Sequence, residues 1–369
     1  MSREITIQDV ARVALVSPST VSNFLNGRYD RMRPGTVQRV QQAIDRLGYT
    51  PSQLARQLKA GYAPIIGLIV PSVANPFWGA MALAVEEAAH ARNYRVLLGN
   101  SERDRERELS YADDMWAQGI RAIIFGSSPL SLSHLLGLVE RGLHIMAFDW
   151  HSQHEGGLDI DSVTIDNVQG AKLATNHLIA LGHRRIGFMS GPIRTVSRID
   201  RLNGYRAALA EAGISQDSSL VWEGTASSSF GDDEGAELGR TAARELLSRA
   251  DPPTALLAIN DVYALGACAG ARDVGARVPE TVSVVGFDDI MLAGIVDPPL
   301  TTVRQPLPSL TQVAVERLIS HLEKAVTGEA IHLSMVPELV IRASTAPVYK
   351  GYAEVTQEKK TSRGADRSA

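Results

Sequence analysis

The sequence predicts an α/β chain: a small helical head followed by two doubly wound parallel sheets. Three observations carry that expectation. From residue 65 onward, short apolar runs rich in β-branched residues alternate with longer helical stretches at intervals of about thirty residues, the size of a βα unit. Those runs are apolar at successive positions and do not alternate with polar residues, as expected of strands covered on both faces. The first sixty residues contain no such run and hold nine Lys/Arg against four Asp/Glu, a balance of +5 against −9 for the remainder.

The N-terminal elements are marked by their punctuation. Thr6 and Asp9 form a capping-box pair that opens a helix through Ala14. Ser17 followed by Pro18 is an N-cap with proline at the first helical position, so a second helix starts after a two-residue break and runs to about Asn26. A third begins near Pro34 and stops at Gly48, with Val37, Val40, Ile44 and Leu47 on one face. Helix, tight turn and helix in a basic domain is the geometry that places a second helix in the DNA major groove. Val21 and Leu25 can face a small core, while Ser19, Ser22, Asn23 and Asn26 form a polar stripe without a carboxylate, able to approach phosphates and base edges. A three-helix protein-interaction module would account for the helices but not for the +5 balance.

The strand runs follow in order: Ile65 to Val70, Arg95 to Leu98, Ala122 to Phe125, Ile145 to Phe148, Val163 to Ile165, Ile186 to Met189, Leu220 to Trp222, Ala255 to Ile259 and Val282 to Phe287. So many strands suit two sheets better than one. Directly after them come Ser72 and Asn75, Asn100 and Ser101, Ser127 and Ser128, Asp149, Asp166 and Asn167, Ser190, Asn260 and Asp261, and Asp288 and Asp289. Ligands bind at the carboxyl ends of parallel strands, so two such edges facing each other make a cleft. Each residue taken singly could equally cap the helix that follows.

Composition narrows the function class. The 369 residues are 44% hydrophobic and 21% charged, with net charge −4, which suits a globular chain of two or more domains. The longest apolar runs fall far short of the ~20 residues of a membrane helix, and Arg3 and Glu4 interrupt the N-terminus, so neither a membrane span nor a secretory signal is expected. The single cysteine, Cys268, excludes an internal disulfide and a Cys-x-x-Cys pair, suits a reducing cytoplasm, and reads as a small buried residue. An enzyme is not expected: G-x-G-x-x-G, Walker A and G-x-S-x-G are all missing. His151 and His154 lack a third ligand nearby and read as a solvated pair, so neither metal nor cofactor is expected. Asp288 and Asp289 point to opposite faces, which suits one cleft residue and one cap better than an acid/base pair.

The ordered motifs resemble one family. Thr6-Ile7-Gln8-Asp9-Val10-Ala11, Val16-Ser17, Thr20-Val21-Ser22, Leu25-Asn26, Ala43-Ile44, Leu47-Gly48-Tyr49 with Pro51, and Ala55-Arg56 with Leu58 look like the headpiece and hinge of the lactose-repressor (LacI/GalR) family of bacterial transcription regulators. The likeness continues through Ile66-Gly67-Leu68-Ile69-Val70-Pro71, Asn75-Pro76-Phe77, Asp166-Asn167, His177-Leu178-Ile179, Leu181-Gly182-His183-Arg184-Arg185-Ile186 and Gly191-Pro192. Arg201-Leu202 with Gly204-Tyr205, Asn260-Asp261, Val278-Pro279, Ser283-Val284-Val285-Gly286-Phe287-Asp288-Asp289 and Pro299-Leu300-Thr301-Thr302-Val303 complete it.

The resemblance implies a helix-turn-helix headpiece over residues 1–50, a hinge over 51–62, and a core over 63–346. The core would comprise two doubly wound lobes of the periplasmic-binding-protein type. A polar tail over 347–369 has no leucine heptad and reads as disordered. It further implies a cytoplasmic repressor that binds a near-palindromic operator in double-stranded DNA as a homodimer and is switched by a small sugar-like effector. A binding protein or enzyme on the same scaffold is the rival, against which the basic head counts. By resemblance, Thr6, Ser22 and Asn26 fall on phosphate-contacting positions, Pro18, Ser19 and Asn23 on base-reading positions, and Leu58 on the hinge leucine that wedges into the minor groove; Ser17 completes the DNA-binding set. Ser72, Asn75, Phe77, Asp149, Arg201, Asn260 and Asp288 fall on effector-cleft positions, with Trp78 beside Phe77 offering a second apolar face. Four departures stand out. Leu15 replaces the usual glycine, requiring either an αL backbone or a different turn; Asn23 and Val37 replace two frequent arginines; the loop from Gly27 to Arg33 is one or two residues long; and Ala226 to Gly235 does not align, so Phe230 receives no effector role.

Overall fold

The computed structural model describes residues 5–25, 27–49, 62–150, 160–225, 235–324 and 329–348. The chain divides into two compact units, 1–63 and 64–369.

In the first unit α1 spans Ile7–Ala14, α2 Pro18–Leu25 and α3 Pro34–Leu47. Both halves of the capping box form: the Thr6 amide donates to Asp9 Oδ2 at 3.0 Å and the Asp9 amide to Thr6 Oγ1 at 3.4 Å. Ser17 caps α2 by accepting the Thr20 amide at 3.2 Å. Helices α1 and α3 close with the same hydrogen-bond pattern around different residues. Leu15 takes φ 54° and ψ 48°, with Val16 N donating to Ala11 O; Gly48 takes φ 61°, with Tyr49 N donating to Ile44 O. Of the two alternatives for Leu15, the αL backbone is the one adopted. Val10, Val21 and Val40 are fully buried at the centre, and Phe24, which the sequence pattern did not single out, is buried with them, while Leu25 is only partly so. The long loop folds into a single 3-10 turn, Tyr29–Arg31, whose tyrosine ring meets Phe24 edge-on at 5.4 Å.

The second unit holds two six-stranded sheets. The first lobe is built from β1 (Ile65–Val70), β2 (Arg95–Asn100), β3 (Ala122–Phe125), β4 (His144–Phe148), β5 (Asp161–Ile165) and β11 (His332–Met335), in the order β11-β5-β4-β3-β1-β2, all parallel. The second comprises β6 (Ile186–Ser190), β7 (Val221–Glu223), β8 (Ala255–Ala258), β9 (Ser283–Asp288), β10 (Thr301–Arg304) and β12 (Glu338–Val340), in the order β12-β10-β9-β8-β6-β7. There only β12 runs antiparallel, against β10. Helices α4 (Pro76–Ala91), α5 (Arg105–Ala117), α6 (Leu136–Glu140) and α11 (Leu307–Leu322) belong to the first lobe. Helices α7 (Asn167–Ala180), α8 (Val196–Glu211), α9 (Gly235–Leu247) and α10 (Asp261–Asp273) pack in pairs on the second.

Among the described residues the chain crosses between lobes after β5, after β10 and between β11 and β12. The return of α11 to the first lobe is anchored by Asp161 at the start of β5. Its carboxylate accepts from Arg317 Nε at 3.1 Å and the Ile331 amide at 2.8 Å, and lies 2.7 Å from His321 Nε2. Burial alone would raise the pKa of that carboxyl, but these partners hold it below the usual carboxylate range.

Differences from the sequence expectation cluster at sheet edges. Strands β10, β11 and β12 were not anticipated, and Leu220 lies in a 3-10 turn ahead of β7. Strands β7, β11 and β12 are edge strands with exposed positions, so they lack the apolar run that betrays a central strand. In β10 the buried residues Thr301 and Thr302 are polar by composition and satisfied by Ser344 and Asp261. No helix among the described residues is long and apolar enough to cross a membrane.

Candidate functional site

On the headpiece, Thr6, Ser17, Pro18 and Ser19 are exposed, and Ser22 and Asn23 half-buried. Ser17 Oγ lies 2.7 Å from Ser19 Oγ and 2.9 Å from Thr20 Oγ1, so the start of α2 is a cluster of hydroxyls with no carboxylate in its first turn. Arg28 and Arg33 flank the 3-10 turn and are exposed. Asn26, Leu58 and the remaining hinge residues lie outside the described residues, as do His151, His154, Phe230 and the tail.

The cleft of the second unit forms where the carboxyl ends of the two sheets face each other. It is lined from the first lobe by Asn75, Phe77, Trp78, Arg103, Ser128 and Asp149, and from the second by Ser197, Arg198, Arg201, Ile259, Asn260 and Asp288, with Gln305 on the crossing after β10. The sequence-derived set therefore converges, except that Ser72 sits outside the lining, where its Oγ accepts the Ala74 amide at 3.2 Å.

Local structure explains each position. Asn75 and Asn260 are N-caps of α4 and α10, accepting the Phe77 amide at 3.1 Å and the Tyr263 amide at 3.0 Å. Each is thus both cap and lining residue, since a cap uses one carbonyl oxygen and leaves the amide NH2 on the cleft side. Phe77 and Trp78 occupy the first turn of α4 as an edge-to-face pair 4.9 Å apart. Arg201 lies on α8, which packs against α7 at Gly204; a Cβ there would come within 2.2 Å of Val168 O, and this close approach sets Arg201 beside Asn167.

A continuous set of polar contacts joins the lobes. Asp149 accepts from Thr164 Oγ1 at 2.6 Å and Asn167 Nδ2 at 2.9 Å. Asn167 Oδ1 then accepts from Arg201 Nε at 2.8 Å, and the guanidinium also donates to Ile259 O at 2.6 Å, lies 3.6 Å from Asp288 Oδ1 and covers the Phe287 ring at 3.6 Å. Gln305 Nε2 donates to Asp288 at 2.7 Å. Burial pushes the Asp149 carboxyl above its ordinary value, against the opposing pull of Thr164, Arg201 and Asn167. A second bridge runs through Ser128, whose Oγ lies 3.0 Å from Ser197 Oγ and accepts the Ser197 amide at 3.0 Å. Asp149 and Asp288 both take positive φ, 49° and 116°, a backbone that L-residues adopt at a cost and that is common at ligand sites.

Arg103, Ser197, Arg198 and Gln305 were missed. Arg198 had a legible signal, standing three residues before Arg201 on one helix face; Gln305 had none once β10 went unseen. Asp289 is not the expected cap: it is ion-paired to Arg304 and Arg342 at 2.6 Å each. Asp261, fully buried, accepts from Thr302 Oγ1 at 2.5 Å and the Ile290 amide at 2.8 Å, and its pKa is raised by burial and by Asp288. Cys268 is half-buried and not fully so, and burial pushes its thiol up to about 11. No group of three or more His, Cys, Asp or Glu able to hold a metal occurs among the described residues.

Chemically, the cleft offers carboxylates, amides, hydroxyls and guanidiniums around two aromatic faces. That set binds a small polyhydroxylated molecule, and its lining holds no histidine, cysteine or lysine to move a proton near neutral pH.

Comparison with known proteins agrees with this architecture. Residues 6–52 match the model described as "Bacterial regulatory proteins, lacI family", and residues 175–345 the model described as "Periplasmic binding protein-like domain". The HTH-type transcriptional regulator DegA of Bacillus subtilis (strain 168) is 33% identical over 93% of this chain and 98% of its own length. Among solved structures, a Lac repressor dimer bound to operator and the anti-inducer ONPF superposes with a TM-score of 0.79 at 27% identity, covering 93% of this chain and all of that one. A complex of the transcriptional regulator CelR with cellobiose gives 0.65 at 31%, covering 92% and 99%. With a head, a two-lobed core and full-length similarity all in agreement, the chain belongs to the lacI family of bacterial regulatory proteins.

Proposed function

We propose that the chain is a cytoplasmic transcriptional repressor that binds a near-palindromic operator as a homodimer and is switched by a sugar or sugar derivative held between the core lobes. In this reading residues 1–50 are the DNA-binding headpiece, 51–62 the hinge, 63–346 the effector-binding and dimerisation core, and 347–369 a tail. The observation that carries the switch is the chain of contacts from Asp149 through Asn167 to Arg201 and Asp288. A ligand entering there must exchange contacts with both lobes, so it favours one lobe arrangement over another. The Lac repressor seen with operator and the CelR seen with cellobiose support both halves of the reading.

On DNA, Thr6, Ser17, Ser22 and Asn26 contact phosphates, while Pro18, Ser19 and Asn23 face base edges. An amide pairs bidentately with adenine, so Asn23 favours adenine in the half-site. Leu58 inserts into the minor groove as a wedge. Ser72, Asn75, Phe77, Trp78, Asp149, Arg201, Asn260 and Asp288 contact the effector. The test is operator binding by fluorescence anisotropy with and without an effector found by thermal-shift screening. Asp288→Ala should keep operator binding and lose the ligand response. If Asp288→Ala and Arg201→Ala bind the effector as tightly as the unmodified protein, the cleft is not its site.

A further inference from the structure

We infer that the effector is an acidic sugar, carrying a carboxylate or phosphate that Arg103 and Arg198 receive. The inference rests on the proposed cleft and adds a charge to its ligand. Among the described residues the lining holds three guanidiniums, Arg103, Arg198 and Arg201, against two carboxylates, Asp149 and Asp288. The carboxylates are held by Thr164, Asn167, Gln305 and Arg201, and Arg201 is engaged in turn by Asn167, Ile259 and Asp288. Arg201 is therefore a poor receptor for a ligand anion, and the task falls to Arg103 and Arg198.

Both are placed at a cost that an anion would offset. Arg198 is 5% exposed in the first turn of α8, a turn that contains no acidic residue and where the helix end is itself positive. It donates to Pro192 O at 2.9 Å through one nitrogen, and its planar fork suits bidentate binding of carboxylate or phosphate. Arg103 follows β2 in a turn where Glu102 and Arg103 both take positive φ, 54° and 58°. Two successive side-chain-bearing residues in that region are strained, and the turn brings Arg103 to the cleft opposite the second lobe. With Phe77 and Trp78 beside them, the two arginines would hold the acidic end of a molecule whose ring lies on the aromatic faces and whose hydroxyls meet Asn75, Asn260 and Asp288.

The test uses the full chain and calorimetry at constant ionic strength, with D-gluconate, D-glucuronate, D-glucose 6-phosphate and 6-phospho-D-gluconate against D-glucose and D-glucitol. At least one acid should bind tenfold or more tightly than its neutral counterpart. Preference for phosphates or for carboxylates identifies the group. Arg103→Gln and Arg198→Gln should each weaken that acid at least tenfold, and Arg198→Lys, which keeps the charge at a buried position, should weaken it less. Failure of all four acids to bind, or equal binding by a neutral partner, overturns the inference. If a neutral sugar binds and Asp288→Ala abolishes it, the cleft stands and the acidic group falls. If an acid binds but Arg103→Gln, Arg198→Gln and Asp288→Ala leave it unchanged, the cleft itself is misassigned.

Discussion

Replacing Arg201 by alanine probes the centre of the interlobe network. Its side chain is 9% exposed and serves three acceptors on three different elements: Asn167 Oδ1, Ile259 O and Asp288. Each hydrogen bond to a charged donor is worth about 1.5 to 3 kcal/mol, but the contributions are not additive, because water can enter the vacated space from the cleft. Breaking a buried pair by removing one partner costs about 3 to 5 kcal/mol, and that is the expected loss for Arg201→Ala. The pH dependence identifies its origin. Asp149 already has its pKa raised by burial, with Arg201 among the groups that pull it back. A carboxyl raised in the folded state stabilises less as pH climbs from its ordinary value through the raised one. Without Arg201 the folded value rises further, so the deficit of Arg201→Ala should widen with pH across that window and close below it, where Asp149 is protonated in both states. Urea unfolding followed by tryptophan fluorescence, between about pH 4 and about pH 8, measures both quantities. A loss under about 1 kcal/mol, or a deficit that narrows as pH rises, would refute the reasoning.

Three further outcomes follow from the geometry. Leu15→Gly removes an αL strain of about 1 to 2 kcal/mol at a residue 83% exposed, and returns about 0.5 to 1 kcal/mol through the entropy of the unfolded chain. The headpiece should therefore gain about 0.5 to 1 kcal/mol, read as slower amide exchange in α1 to α3; faster exchange would mean that Leu15 packs against something. Arg28→Ala with Arg33→Ala, flanking the 3-10 turn, should weaken binding to all DNA sequences alike and flatten the slope of log K against log salt by ~0.9 for each phosphate no longer neutralised; an unchanged slope removes the turn from the interface. Asp161→Asn should cost about 2 kcal/mol at neutral pH through its contacts with Arg317 and His321. Because the carboxyl is held below its usual range, this stabilisation is present above the ordinary carboxylate value and disappears as pH falls through the depressed one, so mutant and parent should converge in acid.

Much of the fold was legible because its signals are local. The Thr6/Asp9 box, Ser17 before Pro18, and Gly48 each satisfy or terminate a helix end within four residues, so sequence spacing alone reveals them. Central strands such as β1, β3 and β8 are apolar throughout because both faces are covered. The edge strands β11 and β12 were illegible for the converse reason: exposed residues carry no burial signature, and β11 joins the first sheet more than 160 residues after its neighbour β5. Within the cleft, Asp149, Asn260 and Asp288 were legible as polar residues directly after strands, and convergence followed from the parallel sheets.

By itself, the sequence determined the helical head with its basic balance, the βα repeat, and the polar residues at the strand ends, since each depends on neighbours a few residues away. Tertiary structure alone decided which polar residues remain available to a ligand. Arg201 looks in sequence like the donor that a ligand would meet, yet packing α8 on α7 at Gly204 engages it with Asn167 and Asp288. Asp289 and Asp261, which flank the same sheet edge, are drawn inward to Arg304, Arg342 and Thr302. Arg103 and Arg198, separated by most of a lobe in sequence, meet at one cleft. Partners of a buried charge are set by long-range packing, because desolvation forces it to pair with whatever the fold brings near, and no local pattern encodes that neighbour.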